Sequence, residues 1–121
     1  MGSLIPNFNP DNGKFEIGDK QFQIHTSFIT FVPSPNIDGV IPTAITLLNT
    51  PYLNGGKTLM GMDCSGLVQT VYSINGYTLP RFSAQQSNIG KTVALINDAK
   101  PGDLLFFTSE TAPSHTGIYK G

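Results

Sequence analysis

The stretch "GMDCSGLVQTVY", residues 61 to 72, contains the single cysteine of the 121-residue chain. It marks the change from a glycine-rich segment to an amphipathic pattern. Asp63 is a residue type favoured at helix N-caps, and Leu67, Val68 and Val71 follow at helical spacing. The stretch therefore predicts a helix, capped by Asp63, whose first turn carries the cysteine.

Cys64 has two possible roles. Free cysteines are among the most buried residue types and usually pack as small hydrophobes. In the first turn of a helix, however, unpaired backbone N–H groups and the positive end of the helix dipole stabilise a thiolate. The neighbours Asp63, Ser65 and Gly66 are poor core residues. The position alone leaves a packing role and a nucleophilic role both open.

A cysteine nucleophile needs a base, and the chain contains two histidines. His25 lies in a segment of alternating apolar and polar residues, so we expect a half-buried sheet residue there. His115 begins "HTGIYKG", which is predicted to be a strand, and its side chain can emerge at the strand start beside the cysteine helix. His115 is the better candidate for the base.

Composition excludes several classes of function. Seven basic and eight acidic residues give a formal net charge of -1, so no basic face is available for nucleic acid or an anionic membrane. One cysteine forms neither an internal disulfide nor a thiolate metal cluster. No apolar run approaches the roughly 18 residues of a membrane span.

Periodicity around the cysteine helix predicts an α+β arrangement. Residues 14 to 32 alternate around Gly18-Asp19, which predicts a hairpin and a further strand. The Pro- and Gly-rich residues 33 to 39 are the best candidate boundary, separating an N-terminal β arm, residues 1 to 38, from a domain over residues 39 to 121. Further helices are predicted from Pro42 to residue 49 and over residues 83 to 89. Three strands are predicted over residues 91 to 96, 103 to 109 and 115 to 121.

Five segments, in this order, resemble the NlpC-type bacterial cell-wall cysteine peptidases. They are "TPYLNGG" at 50 to 56, "MDCSGLVQTVY" at 62 to 72, "LPRFSAQQ" at 79 to 86, "KPGDLLFF" at 100 to 107 and "SHTGIY" at 114 to 119. The most specific elements are Asp-Cys-Ser-Gly and Ser-His-x-Gly-Ile-Tyr. The resemblance implies a papain-like domain in which the cysteine-bearing helix packs on an antiparallel sheet.

The resemblance also assigns catalytic roles. Cys64 would be the nucleophile and His115 its base, while Tyr52 would help the backbone N–H of Cys64 to steady the oxyanion. The alternative for Tyr52 is a packed loop aromatic. The family's third catalytic member lies beyond Gly121, so the resemblance implies either that one or more C-terminal strands are missing from this sequence or that another side chain or another chain supplies the role. A reduced activity of the chain as given is expected in the first case.

Substrate-binding roles follow in the same way. Asp63 and Ser65 match residues that bind the ammonium of a free N-terminal L-alanine in some relatives, although Asp63 equally suits a plain helix cap. Arg81 matches a residue that borders the cleft, where a carboxylate-rich peptide is a plausible partner; the alternative is a solvated surface arginine. Asn54 stands where many relatives have tryptophan.

The implied function is peptidoglycan peptide hydrolysis through a cysteine thioester, as a γ-D-glutamyl-L-diamino acid endopeptidase without metal or organic cofactor. The partners would be stem peptides or muropeptides, in the bacterial cell envelope or in cytoplasmic muropeptide recycling. Two alternatives remain: a weak or inactive peptidoglycan-binding module of the same fold, and a muramoyl-L-alanine amidase or acyltransferase. The N-terminal arm weakly resembles the tail of a Src-homology-3-like module.

Overall fold

The computed structural model describes residues 5–29, 34–109 and 112–121. Helices and short antiparallel strand pairs make up this part of the chain, so the predicted α+β class is confirmed. In chain order the elements are β1 (Lys14–Ile17), β2 (Lys20–Gln23), α1 (Val40–Thr46), β3 (Lys57–Thr58), β4 (Gly61–Met62), α2 (Cys64–Ile74), α3 (Ser83–Gln86), β5 (Leu104–Ser109) and β6 (Ala112–Ile118).

The cysteine helix α2 has the predicted start. Asp63 is its N-cap, and the side chain accepts a hydrogen bond from the Gly66 N–H. Gly76 follows the C-cap with φ 80°, a left-handed conformation that glycine adopts without steric cost. Val68 and Val71 are fully buried, and burying each such side chain contributes roughly 1.5–3 kcal/mol. Local sequence and core packing therefore agree on this helix.

The hydrophobic core joins α1 and α2 to the C-terminal sheet. Its buried residues are Val40, Leu47, Met62, Val68, Val71 and Tyr72. Leu104 of β5 and Ile118 of β6 pack against them. The Tyr72 hydroxyl donates a hydrogen bond to the Gly102 carbonyl, at the turn before β5. Burial raises the pKa of Tyr72 from 10.0 to about 12, so this hydroxyl, protonated at neutral pH like that of any tyrosine, stays a donor further into the alkaline range.

The sheet formed by β5 and β6 positions the candidate base. Leu104 pairs with Ile118 and Phe107 with His115, and the register shifts between Phe107 and Thr108. Both α2 and α3 contact β6. The expected packing of the cysteine-bearing helix on an antiparallel sheet is therefore confirmed.

The predicted N-terminal hairpin is also confirmed. Phe15 pairs with Phe22 across β1 and β2, with ring centroids 5.5 Å apart. The prediction of a further strand is wrong over Thr26–Phe28, because these residues form a 3-10 turn. A hydrogen bond from the Ser27 N–H to the His25 ring stabilises this turn locally. Residues 30 to 33 lie outside the described residues. The boundary after residue 38 and the Src-homology-3-like origin stay predictions.

Other predicted elements are absent or differ in their bounds. Residues 91 to 96 form no strand, since none of the strands in the described ranges pairs with them, and Ile96–Asp98 is a 3-10 turn. Helix α1 begins two residues before Pro42, since proline is tolerated in a first turn, and it ends at Thr46 instead of residue 49. Helix α3 ends at Gln86 instead of residue 89. Strand β5 begins at Leu104, one residue later than predicted, and β6 runs from Ala112, three residues before His115, to Ile118 instead of residue 121. No helix in the described ranges has the length and apolarity to cross a membrane.

Candidate active site

A loop lies alongside the segment that enters the cysteine helix. The Met62 N–H donates to the Pro51 carbonyl at 3.0 Å, and the Leu53 N–H donates to the Met62 carbonyl at 3.1 Å. Tyr52 thus forms a parallel bridge with Met62, next to the turn that begins with Cys64. Its side chain is 68% exposed. Tyr52 is therefore not a packed loop aromatic, and its backbone is fixed beside the cysteine turn.

Two glycines allow this loop to approach the helix closely. The Asp63 N–H donates to the Gly56 carbonyl at 3.1 Å. A Cβ on Gly66 would overlap that same carbonyl oxygen. The glycine in Asp-Cys-Ser-Gly is thus required by backbone contact, although glycine lowers helix propensity.

The Asp63 carboxylate is the centre of a hydrogen-bond cluster. Its Oδ1 accepts from the Gly66 N–H at 2.7 Å, from Ser65 Oγ at 3.3 Å and from Arg81 Nη1 at 2.9 Å. Its Oδ2 accepts from the Gly55 N–H at 2.9 Å and from Arg81 Nη2 at 2.6 Å. Arg81 Nη1 also donates to Ser65 Oγ at 3.0 Å. The structure therefore brings together all three predicted substrate-binding residues, and Arg81 is not a solvated surface arginine.

Both partners of this ion pair are strongly held in their charged forms. Hydrogen bonding from Arg81 is the largest cause that lowers the pKa of Asp63 from 3.8 to about 2; the Gly66 and Gly55 N–H groups add to it, and burial opposes it. The hydrogen bond to Asp63 raises the pKa of Arg81 in turn, and the charge of Cys64 as a thiolate adds a smaller contribution. The guanidinium and the Cys64 sulfur are thus electrostatic neighbours.

The Asp63 shift predicts an acid-sensitive stability. A carboxyl group whose pKa falls on folding contributes stability above its unfolded pKa of 3.8, and this contribution is lost as the pH falls toward about 2. The shift is worth roughly 2 kcal/mol. Urea unfolding at pH values between 6 and 2 measures this contribution of Asp63 to the free energy of unfolding. Asp63→Asn should lack this part of the pH dependence, and Asp98→Asn, at an exposed position, should keep it. An Asp63→Asn curve parallel to the wild-type curve would contradict the assignment.

Cys64 and His115 lie on elements that pack together, but their side chains are not bonded. Cys64 is partly exposed in the first turn of α2. His115 is exposed in the middle of β6, not at a strand start, because the strand begins three residues earlier. Strand alternation puts its ring on the opposite face from the buried Thr116. Across the described residues no hydrogen bond joins Cys64 to His115; such bonds often tighten only with substrate.

The environments of the two histidine rings differ. The His115 ring centroid lies 6.0 Å from that of Phe107 on β5. His25 is exposed rather than a half-buried sheet residue, and its Nδ1 lies 2.7 Å from Ser27 Oγ at the start of the 3-10 turn. The contacts of His25 are local, which leaves His115 as the candidate base.

The sequence model of the NlpC/P60 family matches residues 49–121. The chain belongs to the NlpC/P60 family. The match includes every catalytic and substrate-binding candidate, from Tyr52 to His115, and it confirms the resemblance drawn from the five sequence segments. It leaves the first 48 residues outside the family assignment.

Relatives of known name or structure support the assignment of this NlpC/P60 chain. It is 33% identical over 126 residues to the γ-D-glutamyl-L-lysine dipeptidyl-peptidase of Bacillus subtilis, in an alignment covering 98% of this chain and 42% of that protein. An NlpC/P60 family protein from Bacillus cereus superposes with a TM-score of 0.68 at 35% identity, over 74% of this chain and 30% of that one. The NlpC/P60 domain of the peptidoglycan hydrolase SagA gives 0.64 at 33% identity, over 71% and 74%. The chain thus spans less than half of the B. subtilis relative.

Two polar residues near this NlpC/P60 site were not predicted from the sequence. Gln86 is 1% exposed, and its Nε2 donates to the Ser65 carbonyl at 3.1 Å and to the Pro80 carbonyl at 2.9 Å. Ser83 Oγ donates to the Pro113 carbonyl of β6 at 3.0 Å. The segment "LPRFSAQQ" drew attention, but nothing in it separates the buried Gln86 from the exposed Gln85.

Proposed function

We propose that this NlpC/P60 chain hydrolyses peptides of peptidoglycan at the γ-D-glutamyl-L-diamino acid bond, with Cys64 as nucleophile. The observation that carries the proposal is the position of Cys64 in the first turn of α2. The start of a helix presents backbone N–H groups, among them that of Cys64, to an oxyanion forming on a substrate at the sulfur, and the Asp63–Arg81 pair fixes the turn. The printed name of the B. subtilis relative supports the choice of bond.

Three residues of this chain, Cys64, Tyr52 and His115, have roles in the proposed mechanism. The Cys64 thiolate attacks the amide carbonyl carbon, and the developing oxyanion accepts hydrogen bonds from the Cys64 N–H and the Tyr52 hydroxyl. His115, as imidazolium, transfers a proton to the leaving amine as the C–N bond breaks. A water molecule, deprotonated by His115, then attacks the thioester carbon. The products are the acid and the free amine, and Cys64 is released as thiolate.

Substrate recognition is proposed at the Asp63 cluster. Asp63 and Ser65 border the site for the N-terminal ammonium of the peptide, and Arg81 borders the cleft for a substrate carboxylate. The Arg81 guanidinium carbon lies 5.7 Å from the centre of the Phe82 ring, whose residue is 62% exposed. A peptidoglycan substrate places the activity in the bacterial cell envelope; muropeptide recycling in the cytoplasm is the alternative.

Product identification tests this function against its alternatives. The chain is incubated with L-Ala-γ-D-Glu-L-Lys, with its diaminopimelate counterpart and with muramoyl-tripeptide, and products are identified by mass spectrometry. We expect release of the free diamino acid from the two tripeptides. N-acetylation of the L-alanine should slow cleavage at least about tenfold, because the ammonium is lost.

Two other results would replace the proposal. Release of intact tripeptide from muramoyl-tripeptide would assign the chain as an amidase. Absence of any product from a folded chain that still binds muropeptides in calorimetry would assign a binding module.

A further inference from the structure

The short helix α3 is bonded to two different parts of the candidate site. At its C-terminal end, the Gln86 amide donates to the carbonyl of Ser65, the residue after Cys64. At its N-terminal end, Ser83 Oγ donates to the carbonyl of Pro113, two residues before His115 on β6. Helix α3 also contacts both α2 and β6. It therefore links the cysteine turn to the histidine strand.

Gln86 is an unusual residue to bury completely. Its exposure is 1%, and its Oε1 has no hydrogen-bond partner within the part of the chain that the structure describes. Burying an amide costs free energy unless it is hydrogen-bonded. An apolar side chain of similar size would avoid the unpaired oxygen, so packing alone does not account for glutamine. What glutamine adds is the two directional bonds from Nε2.

Both acceptors of the Gln86 amide belong to the site. The Ser65 carbonyl lies in the first turn of α2. Pro80 directly precedes Arg81, which binds Asp63 and Ser65. One buried amide thus holds the cysteine turn and the arginine loop at a set separation, while Ser83 holds the β6 segment just before His115.

We propose that Gln86 and Ser83 are positioning residues that set the Cys64 turn relative to the strand carrying His115. The inference rests on the proposed function, in which Cys64 and His115 act as a pair. Neither residue is proposed to contact substrate. Loss of either should misplace the base and nucleophile, and small misplacements of reacting groups cost large factors in rate.

The test compares Gln86→Met and Ser83→Ala with a matched control, Gln85→Met, which replaces the exposed neighbour on the same helix. His115→Ala is the reference for a cysteine without its base. The first readout is the rate of alkylation by iodoacetamide against pH, which reports Cys64 alone because the chain has one cysteine. The second is the kinetics of cleavage of L-Ala-γ-D-Glu-L-Lys. Circular dichroism checks folding.

We expect the alkylation profiles of Gln86→Met and Ser83→Ala to move toward that of His115→Ala, and Gln85→Met to match wild type. In cleavage, kcat should fall about 10- to 100-fold with KM changed less than about threefold. If Gln86→Met fails to fold, the alkylation profile and kcat of Ser83→Ala, at the other end of α3, test the positioning role.

The outcomes separate the inference from the proposed function. If both variants keep the wild-type alkylation profile and kcat, even with lower thermal midpoints, Gln86 and Ser83 have a merely structural role. That result overturns the inference and leaves the proposed function standing. Identical alkylation profiles for wild type and His115→Ala would show that His115 does not act on Cys64. That result contradicts the proposed catalytic pair and, with it, the inference.

Discussion

Cys64→Ala is expected to lower cleavage of L-Ala-γ-D-Glu-L-Lys by at least about 10⁴-fold, because no thioester can form without the thiol. The fold should survive the change. Cys64 is only partly buried, and the substitution removes a single heavy atom from a helix position that alanine favours. The effect should therefore lie in kcat and not in the amount of folded protein.

Liberated lysine, measured by mass spectrometry, gives the rate, and circular dichroism gives the folded fraction. Ser73→Ala is the matched control, since it removes the corresponding atom from a partly buried position near the other end of α2. It should keep the wild-type rate. Cys64→Ala activity above about a tenth of wild type would show that another group is the nucleophile.

Asp63→Ala is expected to lower the free energy of unfolding by about 2–4 kcal/mol, because an N-cap contributes about 1 kcal/mol and the hydrogen bonds of a charged, partly buried pair about 1.5–3 kcal/mol more. The substitution removes the helix cap, the acceptor for the Gly55 N–H and the partner of Arg81 together. Domains of this size have about 5–15 kcal/mol in total. A large part of the stability should thus depend on one carboxylate beside the nucleophile.

Urea unfolding of Asp63→Ala, Arg81→Ala and the double variant measures the coupling between the two charges. We expect about 1–3 kcal/mol, because the residues share two direct bonds and Ser65 as a common partner. Asp98→Ala, at an exposed position, should change stability by less than about 0.5 kcal/mol. If the losses of the two single variants add up to that of the double variant within about 0.5 kcal/mol, the two charges are not coupled and Asp63 acts only as a helix cap.

The elements that could be predicted from sequence are those stabilised by neighbours along the chain. The α2 start depends on Asp63 and a backbone N–H three residues later, and the β1–β2 hairpin depends on Gly18 and facing phenylalanines. The prediction of a strand over residues 91 to 96 was wrong because strand formation requires a partner, and β-propensity does not provide one. The exposure of every residue from 91 to 98 is consistent with this.

The family, the cysteine helix and the identities of the candidate catalytic residues could be predicted, because these depend on short motifs and on helical periodicity. The sequence did not reveal that Asp63, Ser65 and Arg81 form one cluster. Nor did it reveal that His115 lies in mid-strand on the face opposite Thr116, or that Gln86 is buried while Gln85 is exposed. The contacts behind these features mostly join residues distant in sequence. Hydrogen bonds and burial of this kind are set by how α2, α3 and β6 pack, which no local pattern encodes.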